Sequence, residues 1–141
     1  MTHRQAVARG KPLSDEMLLR LYERPVQEFP MLLKMHSGVV LSGGLHRAKP
    51  RSLLFEAAKK LGPILTIWIE GDKDTVEQTL RERERIYGVS ADVSRRLREN
   101  MKKELEKFEE PTLIFRNTGS NTSDFCNLIQ KKIESMRTTS F

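Results

Sequence analysis

Six side chains or backbone positions carry most of the chemistry that this sequence could do. Arg47 and Arg51 follow a glycine pair, Gly43-Gly44, and Arg81 and Arg85 lie four residues apart in a charged run. A planar guanidinium can grip two oxygens of a phosphate or carboxylate at once, so arginines that converge on one point are the signature of phosphate binding. Thr118 and Gly119 sit in a polar loop, 117–121, of the kind that contacts a phosphate or a base, or that simply caps a helix. Gly43-Gly44 reads as a small anion nest or as a tight turn after a strand. Arg81 and Arg85 alternate with Glu82 and Glu84, which equally describes a solvated helix face.

Other chemistries find less support. His3, His36 and His46 have no metal-ligand spacing, so no metal site is expected. Cys126 is the single cysteine, which rules out an intrachain disulfide, and its neighbours Phe125 and Leu128 suggest a buried thiol. Asp72, Asp74 and Asp92 read as helix caps or loop acids. Lys and Arg number 25 against 19 Asp and Glu, a net charge of +6, which favours anionic partners: nucleotides, phosphorylated metabolites or nucleic acid. Arg95, Arg96, Arg98, Lys102 and Lys103 would give one helix a cationic face suited to phosphates without sequence preference. Aromatic residues are few and fall mostly in apolar stripes, so base stacking has little to work with.

These residues need elements to hold them. Ser14 is the expected N-cap of a helix whose first turn holds Asp15 and Glu16, with Met17, Leu18, Leu21 and Tyr22 on its inner stripe. Pro25 and Pro30 should interrupt the chain beyond that stripe, with residues 31–33 adding a further turn. Residues 39–42 suit a short buried strand, and 52–61 an amphipathic helix ended by Gly62-Pro63. Residues 64–69, apolar on both faces and β-branched, are the clearest strand. A helix capped by Asp74 or Thr75 runs to Tyr87, and another covers 91–108 with Val93, Leu97, Met101, Leu105 and Phe108 on one stripe. A third strand at 112–116 precedes a helix capped by Thr122 or Ser123, and the tail 138–141 should fray.

That alternation predicts one α/β domain over residues 1–141, a three-layer α/β/α arrangement with a short, mainly parallel sheet of strands 39–42, 64–69 and 112–116 flanked by helices. At 16.3 kDa the chain is the size of one ordinary domain. No apolar run approaches the roughly 20 residues of a membrane helix, and residues 1–5 lack the apolar stretch of a secretory signal. A cytoplasmic protein with no membrane partner is the expectation.

In order and spacing, these pieces resemble the P-loop small-molecule kinases of the adenylate kinase and gluconate kinase type. GKPLSDE at 10–16 is similar to the turn and helix that open the acceptor-binding region. GVVLSGGLHR at 38–47 resembles the strand and loop that come next in those enzymes, and GDKDTVEQTLRERER after the 64–69 strand resembles the arginine-bearing helix before the lid. FEEPTLIFRNTGS resembles the final strand and its loop near the adenine. The resemblance implies that Arg47 and Arg51 touch the phosphoryl acceptor, that Arg81 and Arg85 touch the transferred phosphate, and that Thr118 and Gly119 lie near the nucleotide.

The sequence departs from that family in two places. None of its eight glycines begins G-x-x-x-x-G-K-[ST], the loop that cradles the phosphates, and Ser42 stands where many such kinases carry an Asp for magnesium. ATP and Mg2+ would therefore act only with a P-loop supplied from elsewhere. The expectation is a kinase-like domain that binds a nucleotide or phosphorylated small molecule through arginines, without ATP-dependent phosphoryl transfer of its own. An N-terminally truncated kinase, a phosphotransferase, and a basic module for nucleic acid or a protein partner are the alternatives. Without the P-loop strand the sheet would need a changed strand order, a second copy of the chain, or a partner chain to complete it.

Overall fold

Ser14 starts the longest helix as its sequence context dictates. Its backbone is extended and its hydroxyl accepts the Met17 N–H at 3.3 Å, with Asp15 and Glu16 in the first turn beside the positive end of the helix. The computed structural model describes residues 2–108 and 111–139. Among them the elements run α1 (His3–Ala8), α2 (Asp15–Met35), α3 (Ala48–Lys59), β1 (Ile67–Gly71), α4 (Lys73–Tyr87), α5 (Ala91–Glu104), β2 (Leu113–Asn117) and α6 (Thr122–Thr139). They group into two units, Met1–Ile64 with Asp92–Lys107, and Leu65–Ala91 with Phe108–Phe141.

In the first unit, α2 packs on α3 around Leu18, Tyr22, Phe29 and Leu54, with Leu13, Val26, Leu45, Phe55 and Ala58 against them. α2 continues through Pro25 and Pro30, where an interruption was expected. An interior proline costs about 3 kcal/mol. The apolar stripe Leu18, Tyr22, Val26 and Phe29 crosses Pro25 and runs up to Pro30, and at about 1.5–3 kcal/mol for each side chain fully buried it offsets them. α3 starts four residues before the expected Ser52 because Pro50, third in the helix, needs no N–H there. Residues 39–42 do not form the expected strand. No ladder among the described residues reaches them, and Val39, Val40 and Leu41 are 37%, 94% and 39% exposed, so an apolar run without a described neighbouring strand stays a loop.

The second unit holds the sheet. β1 and β2 pair in parallel with Ile67 opposite Leu113, Ile69 opposite Phe115 and Gly71 opposite Asn117. Thr66 and Thr112 prolong the pair through mutual side-chain and backbone hydrogen bonds of 2.9 to 3.2 Å. Both strands begin later than the sequence suggests: β1 at Ile67 rather than residue 64, β2 at Leu113 rather than 112. Asp72, not Asp74 or Thr75, caps α4, accepting from the Thr75 N–H at 2.8 Å. Gly88 closes that helix at φ 67°, a left-handed position that glycine occupies without steric cost. Phe115 stacks on Phe125 of α6 with ring centroids 4.2 Å apart. Cys126, one position further round α6, is exposed rather than buried.

The chain is thus α/β, of the three-layer α/β/α class, with a short parallel sheet of two strands flanked by helices. α5 ends at Glu104 rather than running to Phe108. Of the tail expected to fray, Thr138 and Thr139 close α6, and residues 140 and 141 lie outside the described residues. α1 has no expectation to match, since its short polar sequence carries little periodicity. Its Ala6 is nonetheless 1% exposed, and the backbone of Gly10, just beyond the helix, is held by the Asn100 side-chain amide at 2.7 Å.

Candidate functional site

The first unit contains a cavity of about 390 Å3, within the range of small-molecule pockets. Leu18, Leu21, Tyr22 and Pro25 of α2 form one wall, and Leu97 and Met101 of α5, four residues apart on one face, form another. Lys11 and Leu13 come from the turn before α2, and Leu41, Ser42, Gly43, Gly44 and His46 from the loop that was expected to be a strand. The lining is chiefly apolar, with Lys11 as its one lysine or arginine.

A single carbonyl organises the polar side of this cavity. Gly44 O accepts hydrogen bonds from the Tyr22 hydroxyl and from His46 Nδ1, each at 3.1 Å. Because a carbonyl only accepts, the proton must reside on Nδ1 of His46. His46 is 7% exposed, and its Nε2 has no hydrogen-bond partner among the described residues, with the Glu104 carboxylate 4.0 Å away. Burial pushes the Tyr22 phenol above its ordinary pKa, which keeps it protonated as the donor that this bond requires. At Gly44 a side chain would meet the Met101 methyl at 3.2 Å, so the missing Cβ leaves part of the cavity open.

Arg47 and Arg51 stand beside the cavity but spend their donors on the protein. Arg47 Nε bonds Asp15 Oδ1 at 2.9 Å and lies 3.2 Å from Glu106 Oε1, while Nη1 donates to the Glu104 carbonyl at 3.1 Å. The bond from Arg47 holds the Asp15 carboxyl below the usual carboxylate range, and Asp15 in turn raises Arg47. Arg51, 7% exposed, donates from Nη1 to the carbonyls of Leu45 and Glu106, both at 2.9 Å. The Glu106 N–H closes the set on the His46 carbonyl at 2.8 Å. Together these bonds fix the loop that forms one wall of the cavity.

The remaining expected site residues belong to the second unit. Arg81 lies beside Asp74, Glu77 and Gln78 on the exposed side of α4, and Arg85 is 3.6 Å from Glu82, so the charges are interleaved on the helix surface. The Thr118 N–H donates to Asn121 Oδ1 at 3.1 Å and the Gly119 N–H to Asn117 Oδ1 at 2.9 Å, so the loop's own side chains occupy both donors. Gly119 has φ 84° and leaves space against Thr75. Among the described residues no group of three or more His, Cys, Asp or Glu side chains is placed to hold a metal ion. No described helix is long and apolar enough to cross a membrane.

The cavity was only half legible beforehand. Leu18, Leu21 and Tyr22 read as core, and His46 as a neighbour of Arg47 with no role of its own. The available signal was the width of the α2 stripe, which continues to Pro25 and exceeds what one packed neighbour can cover. Comparison with known proteins returns no match: no protein-family model, curated protein or solved structure is significantly similar to this chain.

Proposed function

We infer that this chain is a kinase-like domain that binds a small anionic molecule, a nucleotide or phosphorylated metabolite, in the cavity of its first unit, and that by itself it does not transfer phosphate from ATP. The observation that carries this reading is the joint contribution of two separate segments to one cavity. Residues 10–16 supply Lys11 and Leu13, and residues 38–47 supply the glycine loop and His46. Apolar walls accept the body of the ligand, and Lys11 supplies a cation for its anionic group.

Arg47 and Arg51 act on that ligand indirectly, by holding the loop. The parallel pair β1 and β2, each followed by a helix, supports the kinase-like framework. The lack of any G-x-x-x-x-G-K-[ST] segment in this sequence supports the absence of ATP turnover.

Isothermal titration with adenosine monophosphate, ATP with magnesium, and a hexose phosphate tests the reading. At least one should bind, about tenfold more weakly to Lys11→Ala, as expected for losing one charge-assisted contact of about 1.5 kcal/mol. Gly44→Leu, which fills the cavity, should abolish binding. If all three ligands fail, or Gly44→Leu binds as well as the parent, the cavity is not the site. Steady ATP-dependent phosphorylation by the isolated chain, lost in Arg47→Ala, would overturn the second half of the reading.

A further inference from the structure

The charge of the chain is divided unevenly between its two units. The first unit holds 17 Lys and Arg against 9 Asp and Glu, a net +8, and the second 8 against 10, a net −2. All of the chain's excess positive charge therefore belongs to the unit that contains the cavity. Most acids of that unit are already committed: Asp15 and Glu106 to Arg47, Glu16 to Arg20, Glu28 to Arg24, Glu56 to Lys59 and Asp92 to Arg95. The uncommitted charges are thus overwhelmingly cations, and several of them share one helix.

α5 is built with two opposed faces. Leu97 and Met101 line the cavity, and on the flank Arg96 packs its stem against Gly10, whose carbonyl is held by Asn100. The helical period turns Arg95, Lys102 and Lys103 away from the cavity, with Arg98 on the edge between them and the lining face. Lys102 and Lys103 are exposed, Arg98 is half-buried, and none of these three has an ion-pair partner among the described residues. Glu99 is the one acid in that stretch of the helix. From Arg95 to Lys102 the row is about 10 Å long, at 1.5 Å per residue. Several cations within that length suit the closely spaced negative charges of a phosphodiester backbone.

We propose that the outer face of α5 is a docking surface for the phosphodiester backbone of a nucleic-acid duplex. The contact is electrostatic and independent of sequence, since three or four cations on a helix meet phosphates but the row offers no aromatic ring to stack on a base. It is also unlike a membrane-seeking helix, in which large apolar residues must flank the cations to enter the bilayer; the α5 row is flanked by Ser94 and Glu99, with the apolar stripe turned to the cavity. The inference stands apart from the cavity's ligand, because the two faces of α5 share no side chain.

The test is fluorescence anisotropy of a labelled DNA duplex, and of the RNA duplex of the same sequence, titrated with the full chain at about 50 to 200 mM salt. Both duplexes should bind, more weakly as salt rises, with a log–log slope of about −3. The triple variant Arg98→Gln/Lys102→Gln/Lys103→Gln should lose at least about tenfold in affinity at the lowest salt and flatten the slope by about two units or more. Lys34→Gln/Lys59→Gln/Lys60→Gln, which removes three charges from α2, α3 and the residue after it, should change little. The proposal is overturned by salt-independent binding, by equal losses in the two triple variants, or by anionic phosphatidylglycerol vesicles binding at least as tightly as the duplexes. Absence of duplex binding at the lowest salt also overturns it. Far-UV circular dichroism matching the parent shows that the three substitutions have left α5 folded.

Discussion

Arg47 reaches across 32 residues of sequence to place its Nε 2.9 Å from Asp15 Oδ1, tying the loop beside the cavity to the first turn of α2. Glu106 approaches the same nitrogen from the segment after α5. One cation thus holds two carboxylates from distant parts of the chain, and removing it leaves them facing each other. Arg47→Ala should therefore lower the melting temperature more than Asp15→Asn does. The double variant should fall short of the sum of the two, because the substitutions share one interaction. Thermal unfolding of the four proteins measures this directly, and additive effects would show that the pair is not coupled.

Acid should weaken the fold through two carboxylates. Arg47 depresses Asp15 by its hydrogen bond, and the Thr75 N–H depresses Asp72 at the start of α4. Each keeps its charge longer in the folded protein than in the unfolded chain. The stability they supply is therefore present above the ordinary carboxylate range near pH 4 and is lost as pH falls through their lower folded values. Denaturant titrations between pH 7 and 2, at about half-unit steps, should show this loss, and Asp15→Asn and Asp72→Asn should each flatten it. Tyr22 acts at the other extreme. Its raised pKa gives a contribution that is present below about pH 10 and disappears as pH rises through the folded value.

Leu54 is 2% exposed at the centre of the α2–α3 contact, so Leu54→Ala should cost about 2–5 kcal/mol by urea denaturation. A loss under about 1 kcal/mol would mean that the contact collapses around the missing atoms. Leu54→Met, which conserves volume, should cost less than about 1.5 kcal/mol.

Ser14 and Tyr22 separate local from tertiary stabilisation within α2. Ser14→Ala should cost about 0.5–2 kcal/mol through the lost cap. Tyr22→Phe removes the donor to Gly44 O and should cost about 0.5–1.5 kcal/mol. Only the second should also change the glycine loop, visible as shifted Gly43 and Gly44 amide resonances. Equal loop shifts in both variants would contradict this division.

Much of the framework could be read from residue order alone. Ser14 before Asp15 and Glu16 marks a helix start, Gly88 after Tyr87 marks a stop, and the β-branched apolar runs around Ile67 and Ile114 mark strands, because caps, left-handed turns and strand patterns depend on neighbours a few residues away. The excess of basic residues, and its periodicity in α5, were equally visible. Partners distant in sequence were not. Val39, Val40 and Leu41 have the composition of a strand, but a strand exists only where another chain segment offers its hydrogen bonds, and none of the described residues does so here. Pro25 and Pro30 carry a local penalty that the stripe buried on α3 offsets only in the folded state. The four arginines were identifiable by type, whereas their employment depended on folding. Asp15, 32 residues away, and Glu106, 59 residues away, converge on Arg47 in space, and they turn a residue suited to binding phosphate into one that holds a loop.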